Sequence, residues 1–195
     1  MPMIAMGASS RGIGAGAPDL LGYPLVDDAF ADLFKANARY AAVTHEVAAT
    51  GVARRGLAVV TCIDSRIDPL AVFGLEPGDA KILRNAGARI TPDVERSLAL
   101  AVASLGVARV AVVQHTDCKL TAAGDAELIK AVAEATGRDL PGFEPLAIGD
   151  QEKTLHADID RLLASPLLPD GVVIVGLVLD LHSGRLGTLV QPQAR

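Results

Sequence analysis

A chain of 195 residues, 50% hydrophobic and 21% charged, is long enough to bury a core and too apolar to be disordered. Its formal net charge of −5 argues against non-specific binding to nucleic acid. No apolar run reaches the roughly 18 residues that a membrane span needs.

The N-terminal part of the sequence predicts an arm followed by a helix. Residues 1–24 are rich in Gly, Ala, Ser and Pro, which predicts a loosely structured N-terminal arm. Asp27 or Asp28 can cap a helix that runs to about residue 49, with Phe34 in its apolar stripe. Residues 25–195 are predicted to form a single domain.

The rest of the chain alternates short apolar runs with helical patterns. The predicted strands are residues 57–61, 81–84, 109–114, 172–179 and 186–190. Thr91 and Pro92 begin the helix before the third strand, and Asp150 begins the helix before the fourth. An Ala-rich helix that ends near Thr136 follows the third strand. This alternation predicts an α/β fold, a mainly parallel four-stranded sheet flanked by helices, with an antiparallel edge strand.

The first reactive stretch follows the first buried strand. Residues 59–66 read Val-Val-Thr-Cys-Ile-Asp-Ser-Arg, and side chains alternate faces along an extended chain. Cys62, Asp64 and Arg66 are therefore predicted to point the same way. They offer a metal one thiolate beside a carboxylate that is paired with an arginine.

The second reactive stretch follows the third strand. In Gln-His-Thr-Asp-Cys, residues 114–118, a single turn brings His115 and Cys118 to one side. Parallel sheets bind ligands at the carboxyl ends of their strands, so the two stretches are predicted to meet there. Two thiolates and one imidazole suit a tetrahedral zinc ion with three protein ligands and one open position. The plainer interpretation is that both cysteines are buried and inert.

These residues together resemble the signature of the beta-class carbonic anhydrase family. Cys-x-Asp-x-Arg and the later His-x-x-Cys match the family, and so does Arg-Asn-Ala-Gly at residues 84–87. The order of the elements is also similar, from about residue 30 to residue 190. One position departs from the family, because Lys119 stands where the family usually has Gly.

The resemblance implies a zinc-dependent enzyme that reversibly hydrates carbon dioxide to bicarbonate. Cys62, His115 and Cys118 would bind Zn2+, and a zinc-bound hydroxide would attack the substrate. Asp64 would accept the hydrogen bond of that hydroxide and orient it, while Arg66 keeps the carboxylate ionised.

The resemblance also carries expectations about the pocket, the partners and the location. Asn85, Ala86 and Gly87 would line the substrate pocket, where small residues leave room for a linear apolar molecule. The helix that contains Phe34 would pack on a second copy of the chain, in a homodimer or a pair of dimers. We expect a cytoplasmic protein, because residues 1–17 contain a single Arg and no continuous apolar block and so do not form a secretory signal. We expect neither nucleic-acid nor membrane partners.

Two other functions fit the same residues. Carbon disulfide or carbonyl sulfide could be hydrolysed on the same scaffold, since the motif residues would be shared. A non-catalytic, zinc-stabilised binding protein would need the three ligands, although a purely structural zinc needs neither Asp64 nor Arg66. The sequence assigns no proton shuttle to His45, His156 or His182.

Overall fold

The computed structural model describes residues 30–43 and 50–195. The predicted arm, residues 1–24, and the predicted cap at Asp27 or Asp28 lie outside the described residues. The chain divides into two units after residue 48, and each is described here by itself.

The first unit contains one described helix, α1 (Ala31–Val43). Phe30, Leu33, Phe34 and Asn37 lie together along one side of it, as the predicted apolar stripe requires. Leu33 and Phe34 leave 58% and 40% of their surfaces exposed. The predicted continuation of this helix, over residues 44–49, lies outside the described residues.

The second unit is built on a five-stranded sheet with the order β2-β1-β3-β4-β5. The strands are β1 (Leu57–Cys62), β2 (Ala80–Asn85), β3 (Arg109–His115), β4 (Val173–Leu179) and β5 (Leu186–Ala194). Strands β1 to β4 pair in parallel, and β5 pairs antiparallel with β4 at the edge. The predicted fold class is confirmed. Strand β5 continues past residue 190 because Ala194 still pairs with Val173.

Two of the helices of this unit begin where the sequence signals predict. They are α2 (Pro69–Phe73), α3 (Pro92–Ser104), α4 (Lys119–Ala122), α5 (Asp125–Thr136) and α6 (Gln151–Ala164). The side chains of Thr91 and Asp150 each accept a backbone N–H three residues later, at 3.4 and 3.1 Å, and so cap α3 and α6. The prediction of one Ala-rich helix after β3 is wrong, because extended backbone at Ala123 and Gly124 separates α4 from α5.

The larger core cluster joins one face of the sheet to α3 and α6. Its members with no exposed surface include Val60, Val112, Ile174, Leu98, Leu155 and Ile159. Burying each Leu or Ile side chain contributes about 1.5–3 kcal/mol, so α6 is held firmly against the sheet. A smaller cluster contains Cys62 and Cys118 at the carboxyl end of the sheet. Within residues 30–43 and 50–195, no helix has the length and apolar character that crossing a membrane requires.

Candidate metal centre

Neighbouring strands bring the two reactive stretches together. Strand β1 ends at Cys62 and strand β3 ends at His115. The two strands pair in parallel, with Thr61 opposite Val113, so both stretches leave the sheet at the same edge. Cys118 follows in the turn after β3, and its sulfur lies close to the sulfur of Cys62.

Cys62, His115 and Cys118 form a compact group of ligand atoms. Their ligand atoms all lie within 4.8 Å of one another, and the two sulfur atoms are 4.0 Å apart. Each of the three residues is at most 4% exposed. A tetrahedral zinc ion with Zn–S bonds of about 2.3 Å would separate its two sulfurs by about 3.8 Å. The spacing and the donor atoms therefore fit zinc.

The imidazole of His115 is oriented for a metal. Its Nδ1 lies 2.7 Å from the carbonyl oxygen of Thr116 and donates to it, which leaves a lone pair on Nε2. Among the described residues that buried Nε2 has no hydrogen-bond partner. A buried polar atom without a partner is costly, and a metal ion between the three ligand atoms would satisfy it.

The two thiols titrate as a pair. A hydrogen bond with Cys118 lowers the pKa of Cys62, against the burial that raises it, and His115 and the Gly87 N–H lower it further. The same sulfur–sulfur bond raises the pKa of Cys118, and burial adds to that rise. A divalent cation removes this conflict, because it stabilises both thiolates at once.

Asp64 and Arg66 form a two-pronged ion pair beside the ligand group. Arg66 Nε donates to Asp64 Oδ1 at 2.9 Å, and Arg66 Nη2 donates to Asp64 Oδ2 at 2.7 Å. These hydrogen bonds hold the pKa of Asp64 well below its usual range. Asp64 Oδ2 lies 4.0 Å from His115 Nε2, so an ionised hydrogen-bond acceptor stands next to the three ligands without being one of them.

Two arginines fix the main chain around this ion pair. Arg66 Nη2 also donates to the carbonyl oxygen of Asp117, at 3.1 Å, which ties the first reactive stretch to the second. Arg84 donates to the carbonyl oxygens of Cys62 and Asp64, at 3.0 and 2.7 Å. Reasoning from the sequence gave Arg84 no role. Its presence in the matched Arg-Asn-Ala-Gly segment was the one signal available.

Of the three residues expected to line the pocket, Gly87 contacts the Cys62 sulfur directly. The Gly87 N–H donates to Cys62 Sγ at 3.3 Å, and Gly87 itself is buried. The Asn85 side chain bonds to both backbone groups of Arg89, and Ala86 is exposed. A substrate-lining role for Asn85, Ala86 and Gly87 stays a prediction.

An open cleft of about 410 Å³ borders the candidate centre, with Asp64, Arg66, Cys118 and Lys119 among its lining residues. Lys119 is the first residue of α4 and is exposed. The left-handed residue of this turn is Asp117, with φ of 56°. The turn therefore takes its unusual backbone angle two residues before Lys119, and the lysine itself is exposed beside the cleft.

The open parallel sheet and the buried Cys-His-Cys group at its carboxyl edge define a metal-binding α/β protein. The sequence profile of the carbonic anhydrase family matches residues 57–140. Beta-carbonic anhydrase 1 of Mycobacterium tuberculosis H37Rv is 31% identical over 130 residues, which cover 67% of this chain and 79% of that protein. A carbon disulfide hydrolase of Acidianus sp. strain A1-3 is 30% identical over 155 residues, covering 68% and 76%.

A solved structure agrees with these relatives. The carbonic anhydrase of Streptococcus mutans matches with a TM-score of 0.77 and 35% identity, over 85% of this chain and 99% of that one. The chain belongs to the beta-carbonic anhydrase family, which confirms the resemblance drawn from the motifs. Because a carbon disulfide hydrolase is among the relatives, membership defines the scaffold and its metal group but not the substrate.

Proposed function

We propose that this protein is a zinc-dependent carbonic anhydrase that reversibly hydrates carbon dioxide to bicarbonate. The observation that carries the proposal is the Asp64 carboxylate, held on both oxygens by Arg66 and 4.0 Å from the metal-facing nitrogen of His115. A zinc site that serves only the fold is closed by its ligands and needs no such acceptor. The named carbonic anhydrases among the relatives give independent support.

The proposed chemistry divides between the metal and the chain. Zinc bound to Cys62, His115 and Cys118 supplies a Lewis acid that makes water nucleophilic near neutral pH. Asp64 is ionised, so it can only accept a hydrogen bond, and it orients the nucleophile's lone pair toward carbon dioxide. Arg66 holds that carboxylate in place by its two-pronged bond, so little reorganisation is needed at the moment of reaction.

Hydrolysis of carbon disulfide or carbonyl sulfide is the second candidate. The Acidianus relative, named a carbon disulfide hydrolase, supports it at 30% identity. The ligands, Asp64 and Arg66 would serve either reaction, because each begins with attack of the same nucleophile on a linear triatomic molecule. Only a direct comparison of the substrates separates the two functions.

One preparation can test both candidates and the non-catalytic alternative. Zinc content is measured by elemental analysis, carbon dioxide hydration by stopped-flow pH indicator, and carbon disulfide hydrolysis by release of hydrogen sulfide. The proposal requires one zinc per chain and hydration with the larger kcat/KM. A larger kcat/KM for carbon disulfide supports the second candidate, and a zinc-loaded protein inert toward both substrates supports the binding protein.

We also propose a cytoplasmic homo-oligomer, a dimer or a tetramer, that assembles through α1. The support is the apolar stripe of α1, where Phe30 and Leu33 are 51% and 58% exposed. Substituting Phe34→Glu should give monomers or insoluble protein in sedimentation experiments, whereas deleting residues 1–20 should leave activity nearly intact. An active, monomeric wild type would contradict the assembly.

A further inference from the structure

The sulfur of Cys62 receives a hydrogen bond from a backbone turn that is itself under strain. Gly87 donates its N–H to Cys62 Sγ at 3.3 Å. Gly87 and Ala88 are both left-handed, with φ of 75° and 57°. A non-glycine residue such as Ala88 adopts this conformation only where its surroundings impose it. Something outside the turn must therefore hold residues 86–88 in place.

Side chains pack closely around Gly87. A Cβ added there would lie 2.8 Å from Leu120 Cδ2 and 3.1 Å from Ile148 Cδ1. The Asn85 side chain closes the turn from within, since it accepts from Arg89 N at 2.9 Å and donates to Arg89 O at 2.7 Å. The position of the N–H donor is thus coupled to the position of Arg89.

Arg89 anchors the turn to the core through its guanidinium. Its Nε donates to Asp158 Oδ2 at 2.7 Å, and its Nη1 donates to the carbonyl oxygen of Leu146 at 2.7 Å. The two charged side chains are only 16% and 5% exposed. Asp158 lies on α6, whose neighbouring Ile159 is completely buried in the larger core cluster.

We propose that Arg89 and Asp158 are positioning residues for the metal centre, because they fix the turn that donates the Gly87 N–H to the Cys62 sulfur. A thiolate that accepts such a bond gives less electron density to its metal. Arg89 and Asp158, which are not ligands, therefore influence how strongly the Cys62 thiolate donates to the metal. This inference rests on the proposed zinc site but not on the proposed reaction.

The test is Asp158→Asn, compared with a control variant that removes the acidic partner of an arginine on α6. The zinc dissociation constant, measured by competition with a chromophoric chelator, should rise about tenfold, because a turn that is no longer fixed stops holding Cys62 in place for the metal, and this outweighs the stronger donation by a free thiolate. In cobalt-substituted protein the thiolate-to-cobalt absorption band should move to lower energy, because Cys62 has lost its hydrogen bond. Both readouts are independent of activity, so they hold even if carbon dioxide is not the substrate.

The matched control is Glu95→Gln. It breaks the ion pair in which Arg161 of α6 donates to Glu95 of α3 at 2.7 Å, away from the turn. We expect this variant to keep the wild-type zinc dissociation constant and the wild-type cobalt band. If Asp158→Asn behaves as the control does in both readouts, the Arg89–Asp158 pair serves only the fold and the inference is wrong.

If Asp158→Asn does not fold, two further measurements can still test the inference. Arg89→Lys keeps the charge but loses the planar fork, so it should raise the dissociation constant less, in the same direction. In wild-type protein loaded with cadmium-113, the Gly87 amide proton should show a scalar coupling to the metal through the Cys62 sulfur. Absence of that coupling overturns the inference without any variant.

Discussion

Two ion pairs of the same chemistry flank the candidate metal centre, and they differ in burial. In the pair of Arg66 and Asp64 the arginine is 54% exposed, and the carboxylate borders the open cleft. In the pair of Arg89 and Asp158 both side chains are mostly buried, and their closest atoms are also 2.7 Å apart. In the exposed pair Asp64 accepts from Arg66 on both oxygens, but Oδ2 accepts only one of these bonds and can accept another from a molecule in the cleft. The buried pair only holds segments of the chain together.

The difference in burial assigns different energetic roles to the two pairs. An exposed ion pair contributes about 0–1 kcal/mol to stability, because solvent screens it. Removing one partner of a buried pair costs about 3–5 kcal/mol, because the other charge is left without compensation. We therefore expect catalysis to depend on Asp64 and Arg66, and stability and metal affinity to depend on Arg89 and Asp158.

The largest effect should come from removing a ligand, which leaves both ion pairs intact. Cys62→Ser and Cys118→Ser should each lose stoichiometric zinc and all hydration activity, as measured by elemental analysis and stopped flow. In the wild type, zinc retention should weaken as pH falls, because protons compete for the thiolates. A serine variant that retains one zinc per chain and full activity would contradict the ligand set.

Asp64→Asn tests the exposed pair directly. The amide keeps the shape but can present a donor where an anionic acceptor stood, so turnover should fall on the order of a hundredfold or more. Zinc content should be unchanged, and the free energy of unfolding should change by less than about 1 kcal/mol. Asp158→Asn should instead lower that free energy by about 3 kcal/mol. If Asp64→Asn and Asp158→Asn lowered the free energy of unfolding equally, the two ion pairs would not differ in their contribution to stability.

Arg66→Ala should give a different phenotype from Asp64→Asn, although both act on the same pair. Without Arg66, the Asp64 carboxylate is free to reach the metal and occupy its open position. The variant should bind zinc and be nearly inactive at neutral pH, with part of the activity recovered at high pH, where hydroxide competes better. A pH–rate profile measures this recovery. If the variant had wild-type rates at every pH, Arg66 and Asp64 would form only a surface ion pair, without a role in catalysis.

The exposed pair could be predicted from the sequence, because its partners are two residues apart. The alternation of side chains along an extended chain predicts that Asp64 and Arg66 point the same way. Strand β1 ends at Cys62, however, and the pair forms in the turn that follows, where the Arg66 backbone N–H also donates to Asp64 Oδ1. The meeting of Cys62 with His115 followed from a general property of parallel sheets, namely that ligands bind at the carboxyl ends of the strands. Local spacing and this one topological rule were enough.

The buried pair could not be predicted, because no local pattern joins its partners. Arg89 and Asp158 are separated by 69 residues and meet only after α6 packs on the sheet. In the sequence, Asp158 falls on the buried stripe of α6, three residues after Leu155 and four before Leu162, but this spacing does not identify Arg89 as its partner. The break between α4 and α5 was missed for a related reason, since the Ala-rich composition favours one helix and only Gly124 indicates the interruption.

The smallest effect should come from Lys119, which borders the cleft beside the exposed pair. If the family's usual Gly were needed for a left-handed angle, Lys119→Gly would relieve strain and raise turnover. Lys119 instead begins α4, and Asp117 adopts the left-handed angle, with φ of 56°. We therefore expect Lys119→Gly to change turnover by less than about tenfold, or about 1.4 kcal/mol of barrier. The comparison with Lys119→Ala separates loss of the charge from added backbone freedom. A rise well beyond tenfold in the Gly variant alone would show that the backbone at this turn limits the wild-type site.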